Sequence, residues 1–268
     1  MIKLLELSNK EWFIISDIIL NINAISVDKR MKEAFFENLE NIISFNSGTF
    51  YFGHNSDRVK SIVDPVIYKH PYHLIKDPQI KEYDKYQDID CVKWMYSLPH
   101  STVYRETDLL QDSIRENTEL YKKIYKPLCI HYAAGVNMVY DNIFLGAVNL
   151  FKSKENGDFT EKDIFILDYL KPHLTHRMFQ LHPQAKNQIV ARNAVINEYN
   201  LTDRELEIIT LISEGISNKE ISEKLFICED TVKKHISHIY KKMNVSSRSK
   251  IVKMLNEKNY RLHTFKHY

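Results

Sequence analysis

Residues 201–243 read LTDRELEIITLISEGISNKEISEKLFICEDTVKKHISHIYKKM, and this stretch decides the fold of the C-terminal part of the chain. Thr202 stands three positions before Glu205, and Ser217 stands three positions before Glu220. Each pair predicts a capping box, because the hydroxyl accepts from one free backbone N–H of the first turn while the carboxylate accepts from another. Two helix starts are thus predicted, with the first helix ending near Gly215, which tolerates the left-handed conformation.

A third helix is predicted after the break at residues 226–228, and its two sides differ in character. Apolar residues recur at helical spacing in a stripe that packs on the preceding helices: Val232, Ile236, Ile239 and Met243. The opposite side and its flanks are mostly basic: Asp230, Lys233, Lys234, His235, Ser237, His238, Lys241 and Lys242. Because the major groove of a DNA duplex admits one helix, this side is suited to reading it. A fourth helix is predicted from residue 246 or 247 through Ile251 to Leu255.

The charge of the chain is segregated along its length. Over 268 residues the net charge is only +2, but residues 1–185 carry 22 basic and 25 acidic side chains, whereas residues 186–268 carry 15 and 10. From Thr231 onward there are ten lysines and arginines and a single acid, Glu257. This asymmetry indicates a polyanionic partner. The ordinary alternative for a lysine run is a solvated surface, and the agreement of caps, turn and stripe favours DNA.

Residues 200–256 resemble the DNA-binding domain of LuxR-type transcriptional regulators, the LuxR/FixJ family. The matching residues are Leu201, Thr202, Arg204, Glu205, Glu214, Gly215, Ser217, Asn218, Lys219, Glu220, Ile221, Leu225, Ile227, Thr231, Val232, Lys233, His235, Ile239, Lys242, Val245 and Arg248. Two positions depart from the family: Ser222 replaces a common alanine, and Cys228 replaces the serine that usually caps the third helix. The resemblance implies an all-α four-helix helix-turn-helix domain that binds double-stranded DNA.

The resemblance also implies which residues contact DNA. Bases would be contacted by Lys233, Lys234 and Ser237, and the DNA backbone by Ser217, Lys219, Thr231, His235, Lys241 and Lys242. Asn218, His238 and Arg248 complete the predicted DNA-binding set. The family also tends to dimerise near the fourth helix, which would place Lys250, Ile251 and Met254 close to an interface. Cys228, at a helix N-terminus, could serve as a redox sensor, but a replaced cap is the simpler interpretation.

The N-terminal half is predicted to be an α+β domain. Two helices are expected within residues 10–45, and the aromatic run at residues 48–53 predicts a strand. Asp141 and Asn142 predict a tight hairpin between strands at 130–140 and 143–152. In a two-residue loop the numbers of paired residues sum to 283, which puts Val136, Met138 and Ala147 on one face.

The remaining elements of this half are predicted with less definition. Residues 59–104 contain four prolines and give a mixed pattern, and residues 108–124 are expected to be helical. Thr160 with Asp163 predicts a capping box that opens a long helix over residues 161–181.

This order of elements resembles GAF-like and PAS-like sensor domains, and residues 104–108 resemble a segment of GAF-like regulators in the same family. The resemblance implies a sheet that bounds a small-molecule pocket, with a predicted lining of Trp94, Tyr104, Tyr132, Met138 and Phe144. An ordinary aromatic core explains these residues equally well. The predicted domains are a GAF-like sensor and dimerisation domain over residues 1–181, a linker over 182–199 and the LuxR-type domain over 200–268.

Three alternatives compete with this interpretation of the N-terminal domain. A phosphorylation receiver is disfavoured, because the chain opens with helices instead of a strand that ends in an acidic pair. An acyl-homoserine-lactone pocket is disfavoured, because the Trp, Tyr and Asp pattern of such domains is not evident around residues 83–94. A protein-interaction scaffold without a small ligand is the main alternative to ligand control.

The sequence also bears on compartment and metals. The apolar residues 12–22 are interrupted by Asp17 and precede no cleavage site, so neither a signal peptide nor a membrane span is predicted. The cysteines at 91, 129 and 228 are scattered and odd in number, which favours a reducing cytoplasm over a disulfide framework or a zinc site. Two pairs with H-x-x-H spacing, His70 with His73 and His173 with His176, have no third ligand nearby in the sequence and are not taken as metal sites.

The sequence therefore predicts a cytoplasmic transcriptional regulator with no cofactor. It contains no nucleophile elbow or phosphate loop, so an enzyme is not expected. Its expected partners are double-stranded DNA, a second copy of the chain, RNA polymerase and, at the N-terminal domain, a small molecule or another protein. No membrane partner is expected.

Overall fold

The computed structural model describes residues 7–26, 28–55, 60–69, 86, 89–141 and 143–257. Contacts divide the chain into two units, Met1–Leu181 and His182–Tyr268. Predictions for His70, His73, Asn142 and residues 258–268 lie outside the described residues.

The N-terminal unit is built on an antiparallel sheet of five described strands. They are β1 (Ser47–Asn55), β2 (Lys60–Tyr68), β3 (Thr102–Arg105), β4 (Tyr132–Tyr140) and β5 (Ile143–Lys152), in the spatial order β2-β1-β5-β4-β3. The predicted α+β architecture is thereby confirmed.

Helices cover one side of this sheet, which we call the helix face. The described helices of the unit are α1 (Asn9–Ala24), α2 (Asp28–Leu39), α3 (Glu106–Leu109), α4 (Asp112–Arg115) and α5 (Glu161–Leu181). Phe35 and Phe36 of α2 lie edge-on to Phe50 of β1, with ring centroids 5.8 and 6.3 Å apart. α5 packs on β3, β4 and β5. It begins with the predicted capping box, in which the backbone N–H of Asp163 donates to Thr160 Oγ1 at 3.2 Å and that of Thr160 to Asp163 Oδ2 at 2.9 Å.

The opposite side, which we call the polar face, is covered by short irregular pieces. These are a 3₁₀ turn at Lys93–Ser97, the single-turn helices α3 and α4, a π turn at Tyr121–Tyr125 and a 3₁₀ turn at Lys126–Leu128. The single helix predicted over residues 108–124 is therefore wrong. Leu110 adopts an extended conformation that ends α3, and Gln111 is also extended before α4 begins, so the backbone breaks the helical period here.

The edge strand β2 lies within residues 59–104, where the mixed sequence pattern predicted no definite structure. Pro65 interrupts its pattern, and Asp64 has a positive φ of 49° opposite the irregularity between Phe50 and Phe52 of β1. A proline lacks the backbone N–H that a central strand needs, but an edge strand or a bulge tolerates it. The edge position explains how a strand with a proline forms here.

The tip of the β4–β5 hairpin has the predicted register. Tyr140 pairs with Ile143 and Val139 with Phe144, and Asp141 has the positive φ, 51°, that a tight turn requires.

Beyond the tip, a bulge shifts the register by one residue. Met138 pairs with Gly146 instead of Leu145, so Val136 pairs with Val148. A one-residue slip moves every later side chain to the other side of the strand. The prediction that Ala147 shares a face with Val136 is therefore wrong, and Ala147 lies on the polar face.

The C-terminal unit is helical throughout its described regular elements. These are α6 (Pro183–Tyr199), α7 (Asp203–Ser213), α8 (Asn218–Lys224), α9 (Glu229–Met243) and α10 (Arg248–Glu257). The segment predicted as a linker is thus mostly the helix α6. Val195 of α6 is fully buried in the core of this unit, with Ile196 and Tyr199 packed beside it. The core therefore begins upstream of residue 200.

The predicted signals for α7, α8 and α9 are confirmed. Thr202 with Glu205 and Ser217 with Glu220 form complete capping boxes, and Gly215 has a φ of 81°. The stripe on α9 is buried, with Val232 and Ile239 at 0% exposure. On α10, Ile251 is also fully buried in the core of the unit, which removes it from the residues that could face a second subunit.

Candidate DNA interface and sensor pocket

α9 presents a polar and mostly basic surface opposite its buried stripe. Lys234, Ser237 and Lys241 are all exposed, as are the flanking Lys233 and His238, while His235 is half-buried. Because the apolar stripe holds the helix on α7 and α8, this basic surface projects outward as one row.

The lysines of α9 differ in their partners. Lys233 Nζ lies 3.3 Å from Glu229 and 3.1 Å from Asp230, so its charge is largely met within its own helix. Among residues 143–257, no carboxylate pairs with Lys234 or Lys241. These two are the lysines of the outer row whose charge is available to an external anion.

Lys242 is exposed, but its charged end is bonded within the module. Its Nζ donates to Glu205 Oε2 at 2.7 Å, and Glu205 also accepts from the backbone N–H of Thr202 at 2.8 Å. Burial of Glu205 opposes ionisation, but the hydrogen bonds from Lys242 and Thr202 outweigh it and hold the pKa of Glu205 below its usual value. This cluster ties the C-terminal end of α9 to the start of α7.

Arg248 has a similar supporting position. Its Nη1 lies 3.3 Å from Asn218 Oδ1, and its Nη2 donates to the carbonyl of Ile216. These bonds connect the start of α10 to the turn before α8. Two further members of the predicted DNA-binding set, Asn218 and Arg248, are therefore used within the module.

The remaining predicted backbone contacts lie at helix starts. Ser217 is the N-cap of α8, and Lys219 in its first turn is exposed. Thr231 is in the first turn of α9, where its Oγ1 lies 2.9 Å from Cys228 Sγ. Hydrogen bonding from Thr231 lowers the pKa of the exposed Cys228 thiol. Helix starts are suited to phosphate, because their free N–H groups point outward.

The five predicted pocket residues do not share one surface. Tyr104 and Phe144 lie on the polar face, where Phe144 stacks on Tyr96 at 4.2 Å between ring centroids. Met138 is fully buried on the helix face, paired with Gly146, which lies near Met178 of α5. Trp94 is 57% exposed, and Tyr132 is half-buried at the far end of β4. Met138 and Phe144 lie on opposite sides of the sheet because Phe144 pairs with Val139, the neighbour of Met138 on β4.

The polar face has a middle band that the sequence analysis missed. One cross-strand row contains Thr49, Asn149, Gly135 and Tyr104. An added Cβ on Gly135 would lie 2.9 Å from the Tyr104 ring, so glycine lets that ring cross β4. The Tyr104 hydroxyl then donates to Asn149 Oδ1 at 2.8 Å, and Asn149 Nδ2 donates to Thr49 Oγ1 at 3.2 Å. Buried asparagines in two paired strands were the available signal.

The next row along the sheet contains Tyr51, Ala147, Asn137 and Thr102. Asn137 is fully buried, and neither its Oδ1 nor its Nδ2 has a hydrogen-bond partner in the described part of the chain. Since nearly all buried polar groups are paired, an unsatisfied asparagine indicates a place where a polar ligand or an ordered water binds.

A buried ion pair lies above this band. Glu106 and Arg115 are each 2% exposed, and Arg115 Nη1 lies 3.6 Å from Glu106 Oε2. Burial raises the pKa of Glu106 to about 7, while Arg115 acts in the opposite direction and Asp90 in the same one. Strongly perturbed carboxyl groups beside a buried polar face mark a candidate binding site.

The structure bears on two predicted absences. Within the described ranges, no group of three or more His, Cys, Asp and Glu side chains could hold a metal ion, which includes His173 and His176. None of the described helices combines the length and the apolar character that crossing a bilayer requires.

The tight turn, the buried stripe and the basic outer row define residues 203–257 as a DNA-binding helix-turn-helix domain. Residues 199–255 match the family described as "Bacterial regulatory proteins, luxR family", so this domain is a LuxR-type domain. The predicted resemblance is confirmed.

Curated relatives match over part of this chain. The transcriptional regulatory protein DegU of Brevibacillus brevis is 37% identical over 93 residues, which are 31% of this chain and 39% of DegU. LiaR of Bacillus subtilis is 56% identical over 57 residues, 21% of this chain and 26% of LiaR. The nitrate/nitrite response regulator protein homolog of Haemophilus influenzae is 40% identical over 80 residues, 30% and 38% of the two chains. This chain thus spans less than half the length of these relatives.

Solved structures with overall similarity include Escherichia coli SdiA, with 14% identity, a TM-score of 0.49, and coverage of 93% of this chain and 98% of SdiA. The GAF domain of the cyanobacteriochrome TePixJ is 14% identical with a TM-score of 0.40, covering 60% of this chain and 94% of that domain.

Proposed function

We propose that this protein is a sequence-specific, DNA-binding transcriptional regulator whose helix α9 enters the major groove. The observation that carries the proposal is the outer row of α9, where Lys234, Ser237 and Lys241 are exposed directly opposite a fully buried stripe. The major groove admits one helix, and lysine and serine side chains can reach base edges and phosphates there.

The twelve predicted DNA-binding residues then divide into two groups. Residues that would contact DNA are Ser217, Lys219, Thr231, Lys233, Lys234, His235, Ser237, His238 and Lys241. The other three, Asn218, Lys242 and Arg248, would act mainly by holding α9 and α8 in place, since each is bonded to a residue 30 or more positions away in the module.

The test compares Lys234→Ala with Lys241→Ala on a genomic fragment selected by the purified full-length protein. Lys234→Ala should weaken binding to that fragment about tenfold or more while affecting random duplex less, since it removes a base contact. Lys241→Ala should weaken both duplexes alike and lower the slope of log affinity against log salt by about 1.

Lys253→Ala is the matched control, because Lys253 is exposed on α10 and its Nζ lies 3.6 Å from Glu257. It should leave both affinities unchanged. If Lys234→Ala and Lys241→Ala behaved identically on the two duplexes, the assigned roles would be wrong, and if wild type bound no duplex even at low salt, the function itself would be wrong.

We infer further that a small ligand at the N-terminal unit controls how the DNA-binding domains are presented. The buried polar band with the unsatisfied Asn137 supports this inference. A buried amide without a hydrogen-bond partner lowers the stability of the fold, so its presence favours a role in binding over a role in packing. A ligand that binds one state more tightly shifts the population toward it. Small molecules extracted from the source cells should change the DNA affinity of the full-length protein.

A scaffold without a ligand is the second candidate, favoured by a specific surface. Phe13 and Leu20 of α1 are 73% and 65% exposed, and their spacing of seven residues puts them on one side of the helix. Such a surface suits a second copy of the chain or another protein. If α1 carries the interface, the double variant Phe13→Glu with Leu20→Glu should be monomeric in analytical ultracentrifugation. The wild-type protein should be dimeric, with an average mass that falls on dilution.

The remaining features of the proposal follow from the DNA partner. A regulator of this kind works in the cytoplasm, where three unpaired cysteines remain reduced, and it acts on RNA polymerase at promoters without catalysing a reaction itself. Reconstituted transcription from the selected fragment, with and without the protein, tests whether polymerase output changes.

A further inference from the structure

Asp230 is an acidic residue in line with the basic outer row of α9. It precedes Lys234 by four positions, so it lies on the same side of the helix as Lys234, Ser237 and Lys241. Its side chain is 82% exposed and belongs to the first turn of α9. In a helix that enters the major groove, the N-terminal residues are those that meet base edges. Asp230 therefore occupies a position from which a side chain can contact bases.

A carboxylate at this position has a cost and needs a specific explanation. Its negative charge is repelled by the phosphates that flank the groove, so it weakens binding to every duplex unless a hydrogen-bond donor of a base meets it. Acids in the first turn of a helix also stabilise its N-terminus, but Glu229 supplies such a charge in the same turn. Helix stability thus explains an acid in this turn without explaining its place in the outer row.

Lys233 brings a cation next to this carboxylate. Its Nζ donates to Asp230 Oδ1 at 3.1 Å, and the side chains of both residues are more than half exposed. A donor and an acceptor therefore stand side by side on the surface that would face DNA. Such a pair can address two neighbouring groups of opposite hydrogen-bonding character.

The major-groove edge of a G·C base pair presents such neighbouring groups. Cytosine N4 donates there, and guanine O6 and N7 accept. N4 and O6 are hydrogen-bonded to each other within the base pair, so they lie about 2.9 Å apart, close to the 3.1 Å between Lys233 Nζ and Asp230 Oδ1. In an A·T pair the amino group lies between two acceptors, N7 and O4, which repel a carboxylate from both sides. The geometry of the ion pair thus favours G·C over A·T.

We propose that Asp230 and Lys233 together read one G·C base pair of the target site. Asp230 Oδ1 accepts from cytosine N4, and Lys233 Nζ donates to guanine O6 and N7. The inference rests on the proposed entry of α9 into the major groove, and it adds Asp230 as a residue that determines specificity. Removal of the carboxylate then costs discrimination at one base pair and relieves phosphate repulsion on every duplex.

The first test selects duplexes from a random pool with full-length wild type and with Asp230→Ala, followed by sequencing of the retained fragments. The wild type should select G·C at the base pair that Asp230 contacts, and at its symmetric equivalent if the site is a palindrome. Asp230→Ala should lower that preference about tenfold and leave the other positions unchanged. Its affinity for random duplex should equal or exceed that of the wild type, because a negative charge is removed.

Glu229→Ala is the matched control, because Glu229 lies in the same turn and also contacts Lys233, at 3.3 Å. It points about 100° away from Asp230 around the helix, so its loss should leave every base preference unchanged. If Asp230→Ala kept all the wild-type preferences, or weakened binding to all duplexes alike, the carboxylate would serve only the helix and the proposal would be overturned.

A second test removes the proposed donor from the DNA. In the selected fragment the cytosine is replaced by 2-pyrimidinone, which lacks the 4-amino group and keeps the rest of the base. The wild type should lose about tenfold more affinity than Asp230→Ala, since the weaker base pairing is common to both measurements. Equal losses would overturn the role of Asp230 and leave sequence-specific binding intact, whereas a wild type without any base preference would refute the proposed function itself.

Discussion

The two units of this protein place their charged side chains in opposite ways. In the N-terminal unit Lys32, Glu106, Arg115 and Asp163 are at most 7% exposed, whereas the outer row of α9 in the C-terminal unit is exposed. A buried charge costs folding free energy unless it is paired, while an exposed lysine costs little and stays available to an external anion. The difference supports the proposals of a surface partner for the C-terminal unit and of a ligand inside the N-terminal unit.

The comparison has an exception inside the C-terminal unit. Lys241 and Lys242 are neighbours, yet Lys241 belongs to the outer row and Lys242 pairs with the buried Glu205. Adjacent residues on a helix point about 100° apart, so one lysine run serves two tasks. Surface charge and structural charge must therefore be separated residue by residue.

The largest effect is expected from breaking the buried pair of the N-terminal unit. Arg115→Met should lower the free energy of unfolding by about 3–5 kcal/mol, because Glu106 loses its countercharge while remaining buried. Urea denaturation measures the loss. Arg30→Met is the matched control, since Arg30 lies 2.8 Å from Glu37 in an exposed pair, and it should leave the midpoint nearly unchanged. Equal losses would remove the distinction between the two kinds of charge.

An intermediate effect on stability is expected from Lys242, the lysine that pairs with Glu205. Lys242→Met should lower the free energy of unfolding by about 2 kcal/mol, because Glu205 loses a hydrogen bond to a charged donor. Lys241→Met should leave stability unchanged and weaken DNA binding. Circular dichroism in urea measures the free energy of unfolding of both variants, and titration with the selected DNA fragment measures the loss of binding.

The effect of Lys242→Met should also depend on pH. The pKa of Glu205 is lower in the folded state than its usual 4.5, so its contribution is present above pH 4.5 and is lost as the pH falls through the folded value. The two lysine variants should become equally stable in acid. A difference that persisted there would show that Lys242 acts through packing alone.

The smallest effect on the free energy of unfolding is expected on the polar face, where a substitution should raise this free energy instead of lowering it. Asn137→Leu should raise the free energy of unfolding by about 1 kcal/mol, because it removes a buried amide that has no partner among the described residues. Asn149→Leu should lower it, since Tyr104 and Thr49 would lose their hydrogen bonds. A loss of stability in Asn137→Leu would mean that the amide is satisfied in solution.

Much of the C-terminal unit could be predicted because its signals are local. A capping box spans four residues, and the stripe of α9 is set by helical spacing alone. The sequence did not predict which polar residues of the DNA-binding set form hydrogen bonds within the module. The partners of Lys242 and Arg248 are 37 and 30 positions away, and no local pattern specifies such distances.

The N-terminal unit was less predictable because its sheet depends on distant pairing. The hairpin tip was predicted correctly from Asp141, but the bulge beside Met138 was not predicted. Because the bulge shifts the pairing by one residue, the side chains of β5 beyond it lie on the opposite face from the one predicted. The segment at residues 106–128 is likewise divided into short helical pieces, although its apolar spacing predicted one helix.

The amino-acid sequence was enough to define the helix starts, the turn and the two-sided character of α9, because these depend on residues within a few positions of one another. Tertiary packing alone brought Tyr104 to Asn149 and Lys242 to Glu205. Those contacts depend on strand register and on packing between residues that are far apart in the sequence.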